Sequence, residues 1–199
     1  MKKIKKILIG THNRGKFKEL SFLLPKKMQK ISPLELKIKS PKETGKSFLA
    51  NAKLKANYFS KHSKMTSISD DSGLMIHCLK NKPGIHSARF AKKNGGFKKA
   101  MKKIVNLVYA KGKMKKNTKA IFICSLSMKI YKGKFINVQG QIQGSISNKI
   151  LGKNGFGYDS IFIPKNYKIT FGQMTKKKKV FMDHRFIAYR KLVKKTNIL

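Results

Sequence analysis

Carboxylates are what this sequence has least of. Among 199 residues there are seven, Glu19, Glu35, Glu43, Asp70, Asp71, Asp159 and Asp183, against 48 lysines and arginines, so the formal net charge is +41. Cysteine is scarce as well. Cys78 and Cys124 show no metal or redox spacing, which excludes a cysteine-built metal site and points to a reduced, cytoplasmic setting. Long apolar runs are missing: Ala120–Met128 falls far short of the ~20 residues that span a bilayer, so no membrane partner is expected. The basic start is followed only by the apolar run Ile7–Ile9, too short for a secretory core of roughly 7–15 residues. Arginine is rare too. Only Arg14, Arg89, Arg185 and Arg190 occur, the other basic residues being lysine, whereas proteins that read nucleic acid usually exploit the bidentate guanidinium.

What is present suits one domain over residues 1–199, long enough to bury a sizeable core. Apolar residues make up 40% and recur from end to end, which excludes a mainly disordered chain. The lysines are spread along the whole chain, not gathered in a tail. Two readings stay open: a polyanionic partner, or a compositional drift of surface acids to lysine. Under either, self-repulsion lowers stability at low salt.

Periodicity predicts a first strand at Ile4–Ile9, a polar turn Gly10–Lys16 and a helix Phe17–Leu24 ended by Pro25. A second helix covers Ser47–Lys61. Thr66–Ser69 reads as a short strand running into Asp70-Asp71-Ser72-Gly73, and Leu74–Leu79 as another, with a turn at Pro83-Gly84. Gly96–Lys111 is a long helix with Met101, Ile104, Val105 and Val108 inward. Ala120–Tyr131 and Phe135–Ile146 form a hairpin about Lys132-Gly133. A glycine-rich loop Gly152–Gly157, a short strand Ile161–Ile163 and a C-terminal helix from Arg185 complete the pattern, which argues for α/β with a mixed sheet.

Four clusters carry chemistry. Asp70 and Asp71 are adjacent in a chain short of acid, and neighbouring carboxylates repel unless a cation or proton lies between them. A metal or nucleotide site at a strand end and a plain Asx turn are both open. Thr11-His12-Asn13-Arg14-Gly15-Lys16 joins a strand to a helix, where backbone N–H groups attract phosphate; an ordinary polar turn reads the same. Gly155-Phe156-Gly157-Tyr158-Asp159 offers a ring to stack on a base and a carboxylate to accept from ring N–H groups, or is a glycine hairpin with a buried Phe. His184-Arg185 either donates to a carbonyl oxygen or opens a helix.

The four clusters, in order, resemble one family. TxNxGKxxE (Thr11, Asn13, Gly15, Lys16, Glu19), ETGxxFxxNAxxKA (Glu43 to Ala56), DDSG (Asp70–Gly73), PGIHSARFA (Pro83–Ala91), GFGYD (Gly155–Asp159) and HR (His184, Arg185) are similar to the Ham1/RdgB inosine/xanthosine triphosphate pyrophosphatases. The resemblance covers nearly the whole chain. It implies an elongated, two-lobed Ham1/Maf-like α/β fold, with a bent mixed sheet flanked by helices, a central cleft and a homodimer. It implies Mg²⁺-dependent hydrolysis of deaminated purine nucleoside triphosphates (ITP, dITP, XTP) to the monophosphate and pyrophosphate, clearing them from the nucleotide pool. By similarity Asp71 is the general base and a metal ligand, Asp70 is an outer or water-mediated ligand of the metal, and Glu43 is the surviving candidate for a further metal carboxylate. Thr11, Asn13 and Lys16 hold the phosphates, His12, Arg14 and Gly15 of the same turn bind substrate with them, Ser72 lies on the substrate, and Lys179 matches a family lysine. Phe156, Gly157, Tyr158, Asp159, His184 and Arg185 form the base pocket.

The chain departs from the family pattern at Lys42, where a metal-binding carboxylate is common, leaving Glu43 as its neighbour. It departs also at Ala50, Gln173 and Asp183, the last standing where the family has a serine. These losses and the net charge support an alternative: a polycationic RNA- or ribosome-associated protein on an old nucleotide-binding fold, binding nucleic acid nonspecifically through charge.

Overall fold

The computed structural model describes residues 4–109 and 118–196. Among the described residues seven strands pair in the order β2-β1-β3-β5-β6-β7, with β4 on β3. They are β1 (Lys6–Ile9), β2 (Gln29–Ile31), β3 (Ser67–Ile76), β4 (Lys82–Pro83), β5 (Lys119–Lys129), β6 (Phe135–Ile146) and β7 (Phe162–Pro164). Strands β2 and β3 run parallel to β1, whereas β4 and β7 run antiparallel to their partners, so the sheet is mixed. The helices are α1 (Arg14–Leu23), α2 (Phe48–Ser63), α3 (Ser87–Lys93), α4 (Phe97–Tyr109), α5 (Lys176–Val180) and α6 (His184–Lys195). Among the described residues no helix is long and apolar enough to cross a membrane.

The chain divides into two compact units. The first holds the chain up to Asp71, Cys124–Gly140 and the residues from His184 onward. Strand β1 shows how its sequence makes a layered structure. Ile7 and Ile9 alternate with Leu8, so they leave the strand on opposite faces. Ile7 and Ile9 pack with Leu20, Leu24, Ile68, Leu126, Ala188 and Leu192, joining α1 and α6 to the sheet. Leu8 packs with Ile31 and Phe59 on the other face, under α2. Each such side chain, fully buried, contributes about 1.5–3 kcal/mol. Helices α1 and α2 begin where a side-chain oxygen replaces the missing intrahelical acceptor: Asn13 Oδ1 accepts from Lys16 N at 3.0 Å, and Ser47 Oγ accepts from Ala50 N at 3.1 Å.

The second unit holds Ser72–Ile123 and Gln141–Asp183. Ala100, Met101, Ile104 and Val108 line one face of α4 and bury against Leu74, Ile76, Phe122, Phe162 and Phe171. The register of β6 and β7 matches Ile146 with Phe162, which keeps both apolar positions in this core.

The main departure from the sequence reading is at β3. Thr66–Ser69 and Leu74–Leu79 are not two strands around a turn; one continuous strand runs from Ser67 to Ile76. Asp-Ser-Gly has turn propensity, but burial of nearly every residue from Ser67 to Ile76 overrides it. Asp70 and Asp71 therefore sit inside a strand and not at its end. Helix α1 starts at Arg14, earlier than Phe17, because Asn13 caps it. The hairpin of β5 and β6 is present as expected. Residues 110 and 111 of the predicted Gly96–Lys111 helix lie outside the described residues.

Candidate active site

Adjacent residues in a strand project to opposite faces, and this is how the chain tolerates two neighbouring carboxylates. Asp70 is fully buried on the side of α1 and α6. Its Oδ2 lies 3.1 Å from Lys16 Nζ and accepts from Arg185 Nη2 at 3.0 Å. Arg185, itself buried, also donates through Nη1 to Glu19. Burial would raise the Asp70 carboxyl, but Lys16, Arg185 and Lys55 hold it well below the usual carboxylate range. These cations favour the ionised form of Asp70.

Asp71 faces α2. Asn51 Nδ2 donates to its Oδ2 at 3.0 Å, and Lys55 Nζ lies 3.8 Å from its Oδ1. Asn51 and Lys55 are one helical turn apart, so both reach the same face of β3. Burial pushes the Asp71 carboxyl above its ordinary value, against the pull of Lys55 and Lys16 and with the help of Glu43. A carboxylate of raised basicity, oriented by a neutral amide, is what a general base requires.

Glu43 lies in the loop before α2, and its Oε1 accepts from Lys55 Nζ at 2.5 Å. Burial alone would lower the Lys55 ammonium's pKa; Asp71, Asp70 and Glu43 outweigh it and raise it. Glu43 and Asp71 thus converge on one cation. Among the described residues no group of three or more His, Cys, Asp or Glu side chains is gathered as a metal cage, and Asp70 leaves β3 on the face opposite Asp71. Mg²⁺ is held through one or two carboxylates plus substrate phosphates and water. The pair Glu43 and Asp71, converging on a cation, fits that need, and the buried Asp70 Oδ1 has no hydrogen-bond partner, which leaves it available to a metal-bound water.

The turn before α1 is braced by its own side chains. Thr11 Oγ1 accepts from Asn13 N at 3.1 Å, His12 Nδ1 pairs with Ser40 Oγ at 2.5 Å, and Asn13, Arg14 and Gly15 stand at the helix N-terminus with Lys16 in its first turn. Asn13 therefore caps the helix and frames its N–H groups.

In the second unit, Gly155 and Gly157 adopt φ of +76° and +67°, a left-handed conformation that glycine takes without strain. Asp159 Oδ2 accepts from Phe156 N at 2.8 Å and lies 2.9 Å from Lys179 Nζ. The ammonium also stands 5.0 Å from the Phe156 ring centroid. Ser72 opens this unit, half-buried. Tyr158, expected to bind substrate, is buried in the core and its hydroxyl donates to Ser87 O at 2.8 Å, so its side chain anchors the loop. The Arg185 guanidinium, expected to face a base, is turned onto Glu19 and Asp70, because a buried cation needs anionic partners. His184, beside it at the start of α6, is buried.

Sequence reasoning placed no site role on Glu19, Asn51 or Lys55. All three lay in the quoted motifs, but a single lysine among so many offers no contrast. Spacing was the usable signal, since Asn51 and Lys55 occur at i and i+4 on a predicted helix.

Comparison with known proteins adds the context. The sequence model of the Ham1 family matches residues 7–195. A dITP/XTP pyrophosphatase of Zymomonas mobilis is 34% identical over 189 residues, covering 94% of this chain and 90% of the relative. One from Caulobacter vibrioides is 35% identical, covering 94% and 95%. Among solved structures, a HAM1 protein from Coxiella burnetii superposes with a TM-score of 0.85 at 28% identity, over 96% of this chain and 98% of its own. The Staphylococcus aureus Ham1 protein gives 0.81 at 31%, over 96% and 100%. These similarities lend no support to the polycationic alternative.

Proposed function

The chain belongs to the Ham1 family, and on that premise we propose that it hydrolyses deaminated purine nucleoside triphosphates, with Asp71 as the base that activates the attacking water. The products are the nucleoside monophosphate and pyrophosphate. The observation that carries the assignment is the pair of adjacent aspartates with opposite environments: Asp70 is locked as an anion by Lys16 and Arg185, while Asp71 is raised in basicity and oriented by Asn51.

Each neighbour has a task. Lys16 and the N–H groups at the start of α1 bind the phosphates, with Thr11, His12, Arg14 and Gly15 shaping that turn. Lys55 holds Glu43 and Asp71 together and offsets negative charge developing on the phosphate. Glu43 and Asp71 would hold Mg²⁺, with Asp70 contacting it through water; when bound, the metal neutralises phosphate charge and polarises the water. Arg185 positions Asp70. Phe156 offers a stacking face, Ser72, Gly157, Asp159 and Lys179 belong to substrate binding, and His184 donates toward a 6-oxo oxygen. Adenine presents an amino group there, and a buried donor facing a donor costs on the order of 1–3 kcal/mol. A homodimer and a cytoplasmic location are proposed with this role, supported by the family resemblance and by two free cysteines.

The test is pyrophosphate release from dITP and from dATP with Mg²⁺. The reading expects turnover of dITP at least about tenfold above dATP, the ratio that one unpaired donor of ~1.4 kcal/mol gives. Equal turnover of both would contradict the base assignment.

A further inference from the structure

We propose that Asn51 is a positioning residue for the hydrolysis: its side-chain amide ties the loop that carries Glu43 to the carboxylate of Asp71, so that metal binding and base orientation are set together. The assignment rests on the reading of Glu43 and Asp71 as metal and base residues, and goes beyond it by naming the group that fixes both.

Asn51 lies near the start of α2 and is fully buried within the first unit. A buried primary amide must find partners for its oxygen and for its NH₂ group. Its Oδ1 accepts from Gly45 N at 2.8 Å, and its Nδ2 donates to Asp71 Oδ2 at 3.0 Å. The direction of the amide follows from the loop. A backbone N–H can only donate, so Gly45 N must face the amide oxygen, which turns the NH₂ group toward Asp71. The loop backbone thereby decides that Asp71 meets a donor and not a second acceptor. With Oδ2 on the amide, Asp71 Oδ1 stands on the Lys55 side, 3.8 Å from its Nζ. Glu43 Oε1 accepts from the same ammonium at 2.5 Å. One amide thus orients the Asp71 carboxylate and holds the backbone two residues from Glu43.

The packing leaves no room for a different arrangement. A Cβ placed on Gly45 would stand 2.6 Å from Asn51 Oδ1 and 2.8 Å from Ala50 Cβ and Asn51 N, so a side chain there would push loop and amide apart. The helix holds the other end: Asn51 N donates to Ser47 O at 3.1 Å, and Ser47 Oγ caps α2 through Ala50 N. Residues 45–51 are therefore closed on themselves through backbone and side chain. Asn51 acts through Asp71 and Glu43, and takes no part in the chemical step itself.

The experiment compares the intact protein with N51A, N51D and G45A. Mn²⁺ binding is read directly by electron paramagnetic resonance without nucleotide, and kcat and KM for dITP are measured with Mg²⁺. Groups that orient metal ligands contribute about 10–100-fold to affinity or activity. N51A and G45A are expected to weaken Mn²⁺ binding by about tenfold or more and to lower kcat at saturating metal by a similar factor, with KM for dITP much less affected. N51D keeps an acceptor for Gly45 N but sets a carboxylate against Asp71, so its kcat should fall at least as far as that of N51A. A residue that only supports the helix would lower the melting temperature and leave Mn²⁺ affinity and kcat of the folded protein where they were; that result overturns the proposal. If the variants do not fold, nuclear magnetic resonance of the intact protein decides. On Mg²⁺ titration the Gly45 N–H and Asn51 side-chain NH₂ signals should shift together with one midpoint, and signals that stay put or move separately overturn the proposal. Failure of the intact protein to cleave dITP would overturn the functional reading beneath, which unmoved variants of an active enzyme would leave standing.

Discussion

At the scale of single residues, the proposed active centre depends on Asp70 and Asp71 having opposite tasks. Asp71→Asn keeps the shape and the Asn51 contact but removes the base, and a general base contributes about 10²–10⁴ in rate. We expect kcat on dITP to fall by that much while the melting temperature stays within a few degrees. Wild-type turnover by Asp71→Asn would end the base assignment. Asp70→Asn is a folding lesion instead. It leaves Lys16 and Arg185 without their shared anion, and breaking a buried pair costs about 3–5 kcal/mol; the lower end is expected because Glu19 still holds Arg185. The same residue sets a pH dependence. Its folded pKa lies below its ordinary value of 3.8, so its stabilisation is fully present above that value and is lost as pH falls toward the folded one. Urea unfolding followed from about pH 5 downward should show a steep loss in the native chain and a shallower one in Asp70→Asn. Glu43→Gln should raise the Mg²⁺ concentration for half-maximal activity by about tenfold or more, with kcat at saturating metal much less affected. An unchanged requirement would remove Glu43 from the metal set.

At the scale of elements, caps decide where the site begins. Asn13→Ala removes the acceptor for Lys16 N and should lower stability by about 1 kcal/mol, and KM for the nucleotide should rise because the phosphate-facing turn loses its frame. Helices α1 and α2 were legible because a capping residue precedes an apolar face. Strand β3 was not, because Asp70-Asp71-Ser72-Gly73 is turn-like locally and only tertiary burial makes it a strand. The short β2 and α5 were missed for a related reason: Gln29–Ile31 is too brief for a period to show, and Lys176–Lys179 looks like a solvated charge run. Burial of Lys179 depends on Asp159 and Asp183, which contact no pattern can announce. The motifs named the candidate residues, but the sharing of one ammonium by Glu43 and Asp71, and the turning of Arg185 onto Asp70, are tertiary facts.

At the scale of the whole molecule, two cores are built by a chain with a net charge of +41. Like charges at that density repel, and salt screens them over about 8–10 Å at physiological strength. The melting temperature should therefore rise by several degrees between low salt and ~0.5 M salt, as calorimetry can check; a flat response would contradict a stability cost from self-repulsion. Of the seven acids, Glu19, Glu35, Glu43, Asp70 and Asp71 lie in the first unit and Asp159 and Asp183 in the second, and all but Glu35 belong to the proposed site or contact it. Whether that placement serves hydrolysis is settled by incubating the purified protein and its Asp71→Asn variant with dITP and Mg²⁺ and quantifying dIMP and pyrophosphate. The account predicts the two products in equal amounts from the native chain and almost none from the variant; an intact dITP pool with the native chain, or equal turnover by the variant, would contradict it.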